Sequence, residues 1–136
     1  MKDSEATCDT SVLVPALLPA HEQFPVCITA VERVAAIPAH VLFETYRVLT
    51  RMPGSDRVPP RTAIAVLESL AWKPLQLPGG DCLPLIRAVA RAGVVGGPIY
   101  DAQIAATAKH HGLTLLSRDR RAATVYDLVG VDYELV

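Results

Sequence analysis

Apolar positions recur along this chain in two rhythms, and proline and glycine cut both short. Val41, Leu42, Thr45, Val48 and Leu49 follow i, i+1, i+4, i+7, i+8, the stripe of an amphipathic helix. Pro38 suits the first turn of that helix, and Met52-Pro53-Gly54 stops it. Ala63, Val66, Leu67, Leu70 and Ala71 repeat the pattern behind Pro59-Pro60. So does the stretch 81–92, where Pro84 is tolerated in the first turn. Asp101 is expected to cap a helix running through His111, with Ile104, Ala105 and Ala108 inward and Gly112 as its stop. Further helices are expected after Asp9-Thr10-Ser11, over 21–34 with a break near Pro25, and from Asp119.

Between these helices lie short apolar runs at 5–8, 35–37, 75–77, 113–116 and 131–136, which read as strands. Leu113 to Leu116, bounded by polar residues, has the character of a buried parallel strand. Strands alternating with helices predict an α/β domain with a mainly parallel central sheet. At 136 residues the chain suits one domain, 1–136, large enough to bury about 68% of its unfolded surface.

Composition narrows the function. Apolar residues make up 51% and charged residues 20%, which excludes wholesale disorder. Thirteen basic against fourteen acidic side chains leave a formal charge of −1, so bulk positive charge cannot grip a nucleic acid. A nucleic-acid role then needs a local basic patch or metal ions. Cys8, Cys27 and Cys82 are widely spaced, without a C-x-x-C, and fit a reducing cytoplasm. The longest apolar run, Val12 to Ala20, contains Pro15 and Pro19 and is far short of the roughly 20 residues of a membrane span. Asp3, Glu5 and Asp9 offset Lys2 ahead of it, against a secretory leader. The expectation is a soluble, cytoplasmic protein.

The chemistry-bearing residues are acidic. Ligands of open parallel sheets collect beyond the carboxyl ends of the strands. Asp9 follows the first strand and Asp119 the penultimate one. Asp101 begins the helix feeding that penultimate strand, at the same edge of the sheet. Glu44 sits on the border of its helix's apolar stripe, one turn from Val41 and Val48, where it can lean over that edge. Each has an ordinary alternative: aspartate is a favoured helix cap, and Glu44 can pair with Arg47 or Arg51 on the helix surface. Together they carry more. Several carboxylates in one cleft repel unless a proton or a cation intervenes. Mg²⁺ prefers oxygen ligands, activates water and offsets charge on a phosphate oxygen.

Four segments carrying these residues resemble one family. Cys8-Asp9-Thr10-Ser11, Glu44 within 38–53, Asp101 within Tyr100-Asp-Ala-Gln-Ile-Ala-Ala and Asp119 within Leu116-Ser-Arg-Asp-Arg120 are similar to PIN-domain ribonucleases, above all to the VapC-type toxins of bacterial toxin–antitoxin pairs. The resemblance spans nearly the whole chain in order. It implies a three-layer α/β/α fold and an endoribonuclease dependent on Mg²⁺, for which Mn²⁺ substitutes, leaving 5′-phosphate and 3′-hydroxyl ends. Asp9 and Asp101 would be the principal metal ligands, with Glu44 and Asp119 completing the site or orienting the attacking water. It also implies a bacterial homodimer inhibited by a VapB-type antitoxin. One departure stands out: some relatives carry another acidic residue just after the fourth, whereas Arg120 and Arg121 follow Asp119 here. That leaves one-metal and two-metal mechanisms open.

Ser117 and Arg118 offer a hydroxyl and a guanidinium for a phosphate, and Arg118, Arg120 and Arg121 form the one dense basic cluster. His40 and Glu44, spaced i, i+4, have chelating geometry but no further well-placed histidine. Phe43, opposite its helix's stripe, suggests a protein-binding surface together with Tyr46 and Tyr100. The absence of G-x-S-x-G, P-loop and D-x-D patterns leaves serine hydrolysis, nucleotide-triphosphate and aspartyl-phosphate chemistry without support. The competing reading is a catalytically silent acidic module that acts by binding a protein partner.

Overall fold

A computed structural model describes residues 5–136. Lys2 and Asp3, weighed above against a leader, lie outside the described residues. Five short strands, β1 (Ala6–Cys8), β2 (Ala36–Pro38), β3 (Lys73–Leu75), β4 (Thr114–Ser117) and β5 (Tyr133–Leu135), alternate with seven helices among the described residues. These are α1 (Thr10–Ala16), α2 (Phe24–Ala30), α3 (Ala39–Arg51), α4 (Pro60–Ser69), α5 (Cys82–Arg91), α6 (Pro98–His110) and α7 (Ala123–Val129).

Every strand pair is parallel. β4 lies between β1 and β5, with Cys8 opposite Leu116 and Leu115 opposite Tyr133. β2 pairs with β3, placing Ile37 opposite Pro74. The two ladders meet where Ala6 bridges Val34 and the Thr7 hydroxyl donates to the Ala36 carbonyl at 2.8 Å. The strand order across that seam is therefore β3-β2-β1-β4-β5. The chain runs outward in one direction from β1 to β3, then returns to start again on the other side of β1. That reversal places a crevice at the carboxyl ends of β1 and β4.

β1 is buried along its whole length, and Leu115 and Leu116 of β4 are fully buried. Helices α1 to α4 pack as one group and α5 to α7 as another. Right-handed crossovers on opposite sides of β1 put such groups on opposite faces of the sheet, giving the three-layer α/β/α arrangement. Val12, Leu13, Cys27 and Val41 from the first group, and Ile104, Ala105, Ala108 and Tyr126 from the second, share one core with the sheet. The alanines of α6 allow its backbone to approach β4 closely.

Several boundaries move for identifiable reasons. Pro25 lies in the first turn of α2, where its missing N–H costs nothing, so it starts a helix instead of breaking one. Pro38 ends β2, and α3 begins one residue later. The third strand is 73–75, not 75–77; Pro74 is tolerated there because β3 is an edge strand. α6 begins at Pro98, so Asp101 lies inside its first turn and is not its cap. α7 starts only at Ala123, after a turn in which Asp119 accepts N–H bonds from Arg121 at 2.9 Å and Ala122 at 3.4 Å.

Candidate active site

β1 delivers Asp9 to the crevice. The Asp9 N–H continues the strand ladder by donating to the Leu116 carbonyl at 3.1 Å, and the next residue begins α1. The Asp9 carboxylate is thereby fixed at the sheet edge, only 4% exposed. Three hydroxyls hold it: Ser11 on Oδ1 at 2.5 Å, and Ser117 at 2.5 Å and Tyr126 at 2.7 Å on Oδ2. Burial pushes its pKa above the ordinary carboxylate value, while these donors, which favour the ionised form, work against that rise.

A cleft of about 290 Å³ opens above it. Asp9, Thr10 and Ser11, Glu44 of α3, Asp101 of α6 and Asp119 after β4 line it, over an apolar wall that includes Val14, Val48 and Ile104. All four acidic residues expected from the sequence thus meet at one place, each from a different stretch of chain. Their mutual field is visible at Asp101, whose pKa rises to about 6. Burial contributes most, followed by the negative charges of Asp119, Glu44 and Asp9.

The other expectations are redistributed. Ser117 is completely buried, beneath Asp9, and accepts the Asp119 N–H at 3.0 Å. Arg118 donates through Nη1 to the Val136 carbonyl at 2.6 Å, and through its backbone N–H to Ser11 Oγ at 2.8 Å. Arg121 Nε stands 4.0 Å from Asp119 Oδ1. Glu44 does not pair with Arg47 or Arg51; His40 Nε2 lies 3.3 Å from its Oε2, and the imidazole stacks on Tyr100 at 4.8 Å between ring centroids. Tyr126 is the residue that sequence reasoning missed. Its signal was a tyrosine on the inward stripe of a short helix, since a buried phenol needs a polar partner.

The donor set also bears on which ion the cleft suits. Among the described residues, no three acidic, histidine or cysteine side chains stand close enough to form a ready-made metal cage. Zinc favours nitrogen and sulfur donors, and the cleft lining offers carboxylate and hydroxyl oxygens, so a tetrahedral zinc site is a poor fit. Mg²⁺ commonly keeps several waters and engages one or two carboxylates, and an all-oxygen cleft of separated carboxylates fits it.

An acidic cleft at the switch point of a parallel α/β/α sheet defines a class of α/β proteins whose site is suited to a cation. The chain belongs to the PIN domain family, whose model matches residues 6–128. Ribonuclease VapC27 of Mycobacterium tuberculosis is 37% identical over 124 residues, 90% of each chain. Ribonuclease VapC40 of the same species is 38% identical over 129 residues, 94% of this chain and 96% of that one. The crystal structure of FitAcB from Neisseria gonorrhoeae shares the fold, with a TM-score of 0.62 at 20% identity, over 94% of this chain and 95% of that one.

Proposed function

We propose that this protein is a metal-dependent endoribonuclease, the toxin of a bacterial toxin–antitoxin pair, acting in the cytoplasm. The observation that carries the reading is the convergence of Asp9, Glu44, Asp101 and Asp119 on one cleft, in a chain whose relatives at 37 and 38% identity are named ribonucleases.

Asp9 and Asp101 would hold Mg²⁺ or Mn²⁺, with Glu44 and Asp119 contributing through water or directly. The ion, when bound, supplies Lewis acidity to a phosphate oxygen and a more acidic water. The residues of the chain do the remaining work. Ser11, Ser117 and Tyr126 keep the Asp9 carboxylate oriented and favour its ionised form. Glu44 and Asp119 complete the site or orient the attacking water across the cleft. Ile104 and Val48 exclude bulk water from one wall. Ser117 and Arg118 support the floor, and a direct phosphate contact from Arg118 would use the guanidinium nitrogens other than Nη1.

The exposed side chains of Ile86 and Tyr100 line a groove with Leu77, Leu85 and Ile99, and exposed Phe43 lines a second hollow that shares Leu77 with it. We assign this apolar face to a second copy of the chain, and the acidic cleft to RNA or, in the inhibited state, to a VapB-type antitoxin.

The deciding experiment compares wild type and Asp101→Asn, prepared in parallel, on RNA with Mg²⁺, with EDTA and after Mg²⁺ is restored. Cleavage that requires the ion and vanishes in the variant is expected. Equal, chelator-resistant cleavage in both would overturn the assignment, and no cleavage by either favours the silent partner-binding module.

A further inference from the structure

The Asp9 carboxylate is held by hydroxyls on both oxygens, and unequally. Ser117 and Tyr126 both donate to Oδ2, at 2.5 and 2.7 Å, whereas Ser11 alone donates to Oδ1, at 2.5 Å. An ionised carboxylate has about two acceptor positions on each oxygen. Oδ2 therefore carries two hydroxyl donors and Oδ1 one, with the Ser11 backbone N–H adding a further bond to the carboxylate. Tyr126 is fully buried on α7, with its ring edge against Tyr133 at 5.7 Å between centroids. The Tyr133 hydroxyl is in turn tied to Asp127 Oδ1 at 2.8 Å. The phenol thus reaches Asp9 from a braced helix, across 117 positions of sequence.

We propose that Tyr126 is a positioning residue that restricts Asp9 to one-oxygen coordination, and so biases the acidic cleft toward Mg²⁺ or Mn²⁺ over Ca²⁺. The inference rests on the reading of the cleft as a divalent-cation site. Mg²⁺ demands near-ideal octahedral geometry, whereas Ca²⁺ takes more oxygens and accepts two-oxygen carboxylates. With Oδ2 occupied and the plane of the carboxylate fixed, only the first geometry is served. Loss of the phenol hydrogen bond frees an acceptor position on Oδ2 and lets the group turn.

The test titrates RNA-free protein with Mg²⁺ alone and with Ca²⁺ alone, by calorimetry. Wild type is expected to prefer Mg²⁺. Tyr126→Phe is expected to weaken Mg²⁺ by about 10–100-fold, the usual effect of losing a group that orients a ligand, and Ca²⁺ by much less. Tyr46→Phe, which removes a phenol hydroxyl from the exposed side of α3, keeps the wild-type preference. If both ions weaken together in Tyr126→Phe, or neither changes, the phenol merely packs and the proposal is overturned. If wild type binds neither ion, the cation-site reading fails with it. Should Tyr126→Phe not fold, Ser117→Ala removes the other donor on Oδ2 and must lower the same preference. The unaltered site is read by infrared difference spectra of wild type against Asp9→Asn: a carboxylate splitting that widens with Mg²⁺ marks one-oxygen coordination, and one that narrows overturns the proposal.

Discussion

The Ser117 hydroxyl donates to Asp9 Oδ2 at 2.5 Å, joining residues 108 positions apart at the carboxyl ends of adjacent strands. Ser117 Oγ in turn accepts the Asp119 N–H at 3.0 Å. One small side chain therefore aligns two of the four carboxylates. Ser117→Ala leaves a buried carboxylate short of one donor, and a hydrogen bond to a charged group is worth about 1.5–3 kcal/mol. A destabilisation of that size is expected in denaturant unfolding at pH 7.5, together with a fall in RNA cleavage.

Asp101 gives a pH signature. Its carboxyl, raised to about 6 by burial and by its acidic neighbours, binds a proton more tightly in the folded chain than in the unfolded one. Its contribution to stability is complete below pH 4 and is lost as the pH rises through 6. Asp101→Asn should therefore melt higher than wild type at pH 7.5 without metal, by about 1 kcal/mol once solvent screening is allowed for. The gain should disappear at pH 4. Metal-dependent cleavage by wild type should decline below pH 6 as the proton returns, and Asp101→Asn should lose about 100-fold or more of it.

Glu44 separates a functional carboxylate from an ordinary helix pair. An i, i+4 pair such as His40–Glu44 supports a helix by about 0.3–0.5 kcal/mol, so Glu44→Gln should barely move the melting temperature. Cleavage should nevertheless fall by about 100-fold, as expected when charge facing a reaction centre is removed. Unchanged cleavage would leave Glu44 as a surface partner of His40 and nothing more.

A cation that binds only the folded chain must stabilise it. At a concentration 100 times the dissociation constant the gain is about 2.7 kcal/mol. Mg²⁺ should raise the melting temperature of wild type, EDTA should reverse the rise, and Asp9→Asn should show little of it. A melting curve indifferent to Mg²⁺ up to tens of millimolar would argue against a resident ion.

Ala71 offers a test remote from the cleft. It ends α4 at a φ of 53°, the left-handed region that costs a residue with a Cβ roughly 1–2 kcal/mol. Ala71→Gly removes that cost and is expected to stabilise the fold by about 0.5–1 kcal/mol, because glycine also gains freedom in the unfolded chain. Cleavage should be unaffected.

The long amphipathic stripes were legible because burial selects their faces: Val41, Thr45 and Leu49 of α3 are buried as their spacing requires. Element ends were less legible because they depend on neighbours outside the local pattern. Pro74 sits in a strand only because that strand has one partner. Asp101 looked like a cap because Pro98 to Tyr100 carry no periodic signal, and the helix begins among them. Tyr126 carried no expectation of its own from the sequence; that its hydroxyl lands on Asp9 depends on how α7 returns over β4.

The amino-acid order by itself determined the α/β alternation, the apolar faces and the four acidic residues held near strand or helix ends, since these follow from local periodicity and backbone chemistry. The tertiary structure alone decided which of those residues meet and what holds them. The distance between Asp9 and its partners is set by parallel pairing of β1 with β4 and by helix packing across the sheet, interactions that no local stretch of sequence contains.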